Sequence, residues 1–284
     1  MAKIGIVGWG VVGQATGKAF AKVHEVLWND PAYKDSTPLP KLIKESEYIF
    51  ICVPTPMFSD ESGIDLSIVK KVVKQITPKI KGTNKVLIIK SSVTPGTTLS
   101  FANKYPKVNF AMNPEFLTEI NAPRDFIYTD RIVIGVLDEG VGVRIAKLHR
   151  DILGYKVKIF LTDPTSAELA KYMSNTFMAT KVIFANEMNQ LAEKLNINYD
   201  DIKDMVAADR RIEESFFKVT PFKGFGGKCF PKDTVALLGL ARKLKVDLSL
   251  LETAWKKNLK LRKIRDWEEI PGAVKKRRKR SKKL

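Results

Sequence analysis

The residues best suited to chemistry lie in the segment Gly224-Phe225-Gly226-Gly227-Lys228-Cys229-Phe230-Pro231-Lys232-Asp233. The thiolate, not the thiol, is the nucleophile, and a thiol beside lysines on a flexible glycine backbone sits in an electropositive setting that raises its thiolate fraction. Cys229 is therefore a candidate nucleophile, although a small side chain buried in a loop would fit the same position. The other cysteine, Cys52, lies in Ile49-Phe50-Ile51-Cys52-Val53 and reads as an inert core residue. Two cysteines in 284 residues give no disulfide framework, and no metal site is expected.

A second motif, Gly8-Trp9-Gly10-Val11-Val12-Gly13, follows a strand-like run and precedes a helix-like one, the context in which GxGxxG holds a dinucleotide. Gly8 permits the tight turn, Gly10 lets the backbone approach a pyrophosphate, and Gly13 lets helix and strand pack closely. The pyrophosphate then rests on the helix N-terminus at Val11, Val12 and Gly13. Asp30 ends the second strand, where a carboxylate accepts hydrogen bonds from the adenosine ribose and repels a 2′-phosphate, so NAD is expected rather than NADP.

Together these motifs resemble the UDP-glucose/GDP-mannose dehydrogenase family, whose hallmark is a glycine loop with a Gly-Gly-x-Cys-Phe-x-Lys-Asp core. The resemblance runs from Met1 to about Arg265. It is also carried by Val53-Pro54-Thr55-Pro56, by Lys90-Ser91-Ser92-Val93 followed by Pro95-Gly96-Thr97, by Asn113-Pro114-Glu115-Phe116-Leu117-Thr118-Glu119, by Lys171 with Asn175, and by Asp209-Arg210-Arg211-Ile212. It implies a two-step oxidation of a sugar's primary alcohol to a carboxylate, through a thiohemiacetal and a thioester on Cys229.

Lys171 and Asn175, four residues apart on one helix face, would donate to the developing oxyanion; without the resemblance they would read as a solvated face. Asp233 would assist proton transfer or orient the hydrolytic water, Glu115 would act on that water, and Ser92 stands where the family usually has threonine. The resemblance further places Val53, Pro54, Thr55, Ser92, Glu119 and Lys232 at the cofactor. Glu115, Phe116, Leu117, Glu119, Lys171, Asn175, Phe225, Gly226 and Gly227 would lie at a nucleotide-sugar substrate, with UDP-glucose the expected one. Arg211 matches an arginine that reaches the substrate across a dimer interface, so a homodimer through the long helix is implied. Lys228 departs from the small residue usual before the cysteine.

These residues have to be positioned by an α/β scaffold. Residues 1–162 alternate short β-branched runs with amphipathic stretches, the signature of a Rossmann-type doubly wound parallel sheet. Strands are read at 3–7, 25–29, 48–53, 86–90, 108–112, 131–135 and 156–161, with helices at 13–23 and 66–76. At Asp163-Pro164-Thr165-Ser166-Ala167-Glu168 the pattern changes: Thr165 and Glu168 form the text of a capping box, and a period near 3.6 runs on to about Lys194. Further helices are read at 199–208 and 234–244, so residues 163–266 form a mostly helical domain that carries the cysteine loop.

Residues 267–284 read as a basic, disordered tail. The net charge of +18 is concentrated there, since eight of the last ten residues are basic, and contact with a polyanion is one role for such a run. The N-terminus shows no signal-peptide pattern and no apolar run is long enough to span a membrane, so a cytoplasmic location is expected.

Family members continue into a further α/β domain that closes over the nucleotide base, and this sequence stops before it. Weak affinity for UDP-sugars and poor base discrimination are therefore expected. Two other readings stay open on the sequence. One is a β-hydroxyacid dehydrogenase, which shares the Rossmann domain and a Lys-x-x-x-Asn pair but uses no thiol. The other is a non-catalytic NAD-binding remnant with a polyanion-binding tail.

Overall fold

Runs of Val, Ile, Leu and Phe bounded by turn residues suit a pleated, buried surface, and seven of them form one sheet. In the computed structural model, which describes residues 1–276, the strands are β1 (Lys3–Val7), β2 (Glu25–Asn29), β3 (Tyr48–Ile51), β4 (Met57–Phe58), β5 (Val86–Ile89), β6 (Asn109–Met112), β7 (Arg131–Val136), β8 (Lys158–Thr162) and β9 (Val274–Lys275). The sheet order is β2-β1-β3-β5-β6-β7-β8, while β4 and β9 pair separately. Every residue of β3 and β5 is buried, which explains their uninterrupted apolar text. The first five strands of the sheet are parallel, but β7 runs antiparallel to β6. The expected parallel sheet is thus mostly parallel: residues 113–130, which hold the short helix Ala122–Ile127, bring the chain back antiparallel to β6.

The chain divides into two compact units, one of Met1–Thr55 with Leu66–Lys171, the other of Pro56–Asp65 with the residues from Tyr172 onward. The division expected at 162/163 falls later because the first turns of the helix Pro164–Lys194 pack on the first unit. Gly135 on β7 makes this approach feasible: a Cβ there would lie 2.6 Å from the Pro164 Cα and 2.8 Å from the Ala167 Cβ.

Glu168 does not close the capping box expected of it. Its carboxylate accepts from the Gly96 and Thr98 backbone N–H groups at 2.6 and 2.8 Å, and from the Thr98 hydroxyl at 2.6 Å. It thereby caps a different helix, Thr97–Lys104, whose own N-cap Gly96 has no side chain to offer. The long helix is capped instead by Asp163, whose carboxylate accepts from Ser166 N–H at 3.0 Å.

The second unit is built on the helices Tyr199–Ala207, Cys229–Leu244 and Ser249–Leu261 and on the greater part of the long helix. Its segment Pro56–Asp65 is held by β4–β9 pairing, by Trp255 Nε1 donating to Glu61 at 2.9 Å, and by an ion pair of Asp65 with Lys275. Residues 267–276 are consequently not the disordered tail expected of them. Trp267 is 1% exposed and packs on Trp255 at 5.8 Å, and Ala273 is buried. One large aromatic in a charged segment anchors it, an outcome that composition averaged over the segment conceals. The basic residues of 277–284, to which polyanion contact was assigned, lie outside the described residues.

Burial pushes Glu168 up to about 7, against the hydrogen bonds from Thr98 and Gly96 that favour its charged form. The folded-state value exceeds the unfolded one, so this residue's stabilisation is fully present below about pH 4.5 and is lost as pH rises through 7, at most about 3 kcal/mol. Denaturant unfolding of the protein should show stability falling between pH 5 and 8, and Glu168→Gln should flatten that slope. Equal slopes for the two proteins would exclude Glu168 as the titrating group.

Candidate functional site

The first unit reverses strand order between β1 and β3, and ligands of doubly wound sheets bind at the carboxyl ends of strands at such a point. Here the chain leaves β1 at Gly8 and enters the helix Val11–Phe20. Gly13 is required by close approach, since a Cβ on it would meet the Gly8 carbonyl oxygen at 1.9 Å. Gly10 is the N-cap and supplies no side-chain cap, and a Cβ there would meet nothing within 4 Å. The first intrahelical bond runs from Gln14 N–H to Gly10 at 2.8 Å, so the N–H groups of Val11, Val12 and Gly13 precede it and face an open approach. Asp30 braces this turn, accepting from Trp9 N–H at 2.7 Å and from Ala32 N–H at 3.0 Å.

At the ends of β3 and β5, Val53 and Thr55 are buried, Pro54 is exposed and Ser92 is half-buried. The neighbouring Ser91 hydroxyl donates to the Val53 carbonyl at 2.8 Å. After β6 the chain turns through Glu115, which is buried, accepts from Leu117 N–H at 2.8 Å and pairs with Lys171 at 3.1 Å. The Lys171 ammonium also lies 5.6 Å from the Phe116 ring, which Arg131 covers at 4.1 Å. Glu119 is exposed, four residues beyond the buried Glu115.

A buried polar group unforeseen in the sequence lies beneath this turn. Lys90 Nζ donates to Asn113 Oδ1 at 3.0 Å, His149 Nε2 lies 3.2 Å from the same oxygen, and Asn113 Nδ2 donates to the Val133 carbonyl at 2.8 Å. Burial lowers Lys90 to about 8 and His149 to about 3, and raises Cys52 to about 12, so His149 is neutral and Cys52 a thiol at neutral pH. Cys52 is the inert core residue expected.

In the second unit Cys229 is the first residue of the 16-residue helix Cys229–Leu244, and Lys228 at its N-cap makes no side-chain cap. One turn on, Asp233 is fully buried, accepts from Asn175 Nδ2 at 2.6 Å and is paired with Lys232. The structure thus brings together Asn175, Lys232 and Asp233. Phe225 is buried against Trp255, while Gly226 and Gly227 are half-buried beside the turn into the helix. Arg211 is not part of this cluster: its side chain is 88% exposed and forms a fork with Asp209 at 2.6 Å.

Residues 28–153 match the model of the UDP-glucose/GDP-mannose dehydrogenase family NAD binding domain, and residues 165–260 match that family's central domain. The chain belongs to this family. It is 38% identical over 221 residues to a UDP-glucose 6-dehydrogenase of Rickettsia felis, covering 76% of this chain and 48% of that protein. With a UDP-glucose 6-dehydrogenase of Bacillus subtilis it shares 32% over 301 residues, covering 92% and 64%. The fold is similar to a UDP-glucose dehydrogenase structure from Pyrobaculum islandicum, with a TM-score of 0.83, 28% identity, and coverage of 92% of this chain and 68% of that one. The chain therefore spans about half the length of the Rickettsia relative it matches.

NAD is the cofactor of the family's first domain, and the residues present fit it. The N–H groups of Val11, Val12 and Gly13 precede the first intrahelical bond, a Cβ at the Gly10 N-cap would meet nothing within 4 Å, and the acidic Asp30 directly follows β2. The NAD-domain match begins after the glycine motif, so that motif is read from its own geometry. No helix among the described residues is long and apolar enough to cross a membrane. In calorimetric titration the protein should prefer NAD, and Asp30→Ala should narrow the gap to NADP by removing the charge that repels a 2′-phosphate. Equal affinity of the unmodified protein for both would overturn the role given to Asp30.

Proposed function

We propose that the chain acts as an NAD-dependent nucleotide-sugar 6-dehydrogenase, with UDP-glucose as substrate. The observation that carries the reading is the position of Cys229 at a helix N-terminus, one turn before the buried Asn175–Asp233–Lys232 chain. NAD, when bound, accepts a hydride at each of two oxidations. The helix N-terminus favours the Cys229 thiolate over the thiol. Its sulfur adds to the carbon of the aldehyde from the first oxidation, and the carbonyl oxygen becomes the oxyanion of a thiohemiacetal. Lys171 and Asn175 are the donors proposed for that oxyanion. Asp233 holds the Asn175 amide in one rotamer, so little reorganisation is left for the reaction itself.

Oxidation of the thiohemiacetal carbon gives a thioester. Water then adds to it, the carbon–sulfur bond breaks, and Cys229 leaves as thiolate with a sugar carboxylate as product. Glu115, fixed by Lys171 and the Leu117 N–H, is the carboxylate proposed to take the proton from that water. Cys229→Ser should lower acid formation from UDP-glucose by about 10³-fold or more, because an alcohol replaces a thiolate, while NAD binding is retained. Acid formation at the unmodified rate would exclude the covalent route.

The same reading includes a homodimer through the long helix. Met173, Phe177, Phe184, Met188 and Leu191 on that helix, and Leu195 just past its end, follow one another at spacings of four, seven, four, three and four, and all are exposed, Met173 and Phe177 at 68% each. A continuous apolar stripe of this kind marks an interaction surface. Sedimentation of the unmodified protein should report a dimer, and Phe177→Glu should shift it towards monomer. A unmodified protein that sediments as a monomer at micromolar concentration would contradict the assignment.

A further inference from the structure

The backbone before Cys229 is gripped from behind by four side chains that the proposed chemistry does not use. Gly224 N–H donates to Asn186 Oδ1 at 3.1 Å, and Phe225 N–H donates to Asn258 Oδ1 at 2.7 Å, while Asn258 Nδ2 returns a bond to the Phe225 carbonyl at 3.0 Å. Gly227 N–H donates to Asp266 Oδ2 at 3.0 Å. Asp266 is itself fixed by Arg262, whose Nη2 and Nε lie 3.0 and 3.3 Å from its two oxygens, and Arg262 Nη1 donates to the Lys223 carbonyl at 3.3 Å.

The sequence of the loop answers to this grip. A Cβ at Gly226 would lie 2.3 Å from Asp266 Oδ1 and 2.4 Å from the Arg262 guanidinium carbon. Gly227 has φ of +70°, a left-handed turn that delivers the chain to Lys228 and then to the first residue of the Cys229 helix. Asp266 is in turn seated by the next residue, Trp267, which is buried on Trp255, and Trp255 packs on Phe225 of the same loop at 5.9 Å.

We propose that Asp266 is a positioning residue for Cys229: by accepting the Gly227 N–H while clamped by Arg262, it fixes the turn that places the Cys229 sulfur at the helix N-terminus. The inference rests on Cys229 being the nucleophile. It gives Asp266 and its buried neighbour Trp267 a part in the chemistry although neither side chain is asked to touch substrate.

The sign of the effect separates positioning from plain electrostatics. Removing a nearby anion would by itself ease thiolate formation and lower the thiol's titration midpoint. Loss of the turn would do the opposite, by taking the sulfur away from the helix N-terminus. The test is alkylation of the full chain with iodoacetamide across pH, with peptide mass spectrometry reading Cys229 separately from the buried Cys52. Unmodified protein should show a midpoint below that of an ordinary thiol.

Asp266→Ala should raise that midpoint and slow labelling at pH 7 by about five- to tenfold. Asp266→Asn keeps an oxygen for the Gly227 N–H and should recover part of the loss. Gly226→Ala, which forces Asp266 and Arg262 apart from the loop, should reproduce the loss, and its combination with Asp266→Ala should be less than additive. Circular dichroism and thermal unfolding identify a variant that fails to fold, in which case Asp266→Asn and Gly226→Ala carry the test. An ordinary midpoint in the unmodified protein would refute the nucleophile reading. A low midpoint that Asp266→Ala leaves in place or lowers, with Gly226→Ala equally silent, would overturn the positioning role alone.

Discussion

One helix buries a row of polar side chains, and each of them has to find a partner. Glu168, Lys171, Asn175 and Asn186 recur at spacings of three, four and eleven along Pro164–Lys194, so they share a face, and none is more than 4% exposed. An unpaired polar group in such a position costs about 1–3 kcal/mol, and more when charged. The partners are therefore obligatory features of the fold: the N-terminus of the helix Thr97–Lys104 for Glu168, Glu115 for Lys171, Asp233 for Asn175 and the Gly224 N–H for Asn186. The last three of these partners belong to segments that the functional reading also needs.

That row explains which parts of the molecule were legible. The seven strands of the sheet could be read because apolar, β-branched runs bounded by turn residues are local signals. The direction of β7 could not, because strand polarity depends on how the whole link of residues 113–130 packs and leaves no mark on the strand's own residues. Glu168 was misread for a related reason. Its text fits a capping box three residues after Thr165, yet its hydrogen bonds go to residues some 70 positions earlier in the chain. A carboxylate three places after a threonine is a weak signal when a second, uncapped helix start competes for it.

The loop around Cys229 was legible in its residue types and opaque in its support. Glycines and a cysteine announced it, whereas Asn186, Asn258, Arg262 and Asp266 are polar residues on helical text, where a solvated face is their commoner fate. The period did hold a clue, since Trp255, Asn258 and Arg262 fall at spacings of three and four and so share one face of Ser249–Leu261 and its end. A polar residue in register with a tryptophan points inward, and an inward polar residue needs a partner.

The buried group under Glu115 shows the same logic at higher stakes. Asn113 Oδ1 is only an acceptor and already receives Lys90, so neutral His149 can meet it only as the tautomer with hydrogen on Nε2. That choice leaves His149 Nδ1 as a buried acceptor with no hydrogen-bond partner among the described residues. Asn113 in turn directly follows β6 and begins the turn through Pro114 to Glu115. Lys90 and Lys171 both stand within electrostatic reach of Glu115, so two buried ammonium groups address one carboxylate. Desolvation draws Lys90 down to about 8, the Glu115 carboxylate works against that fall and the Lys171 ammonium adds to it. The turn carrying Glu115 is thus held by a network whose members cannot be exchanged singly: removing Lys90 would take one of two donors from Asn113 Oδ1, and removing the Asn113 side chain would take an acceptor from a buried ammonium and from a buried neutral imidazole.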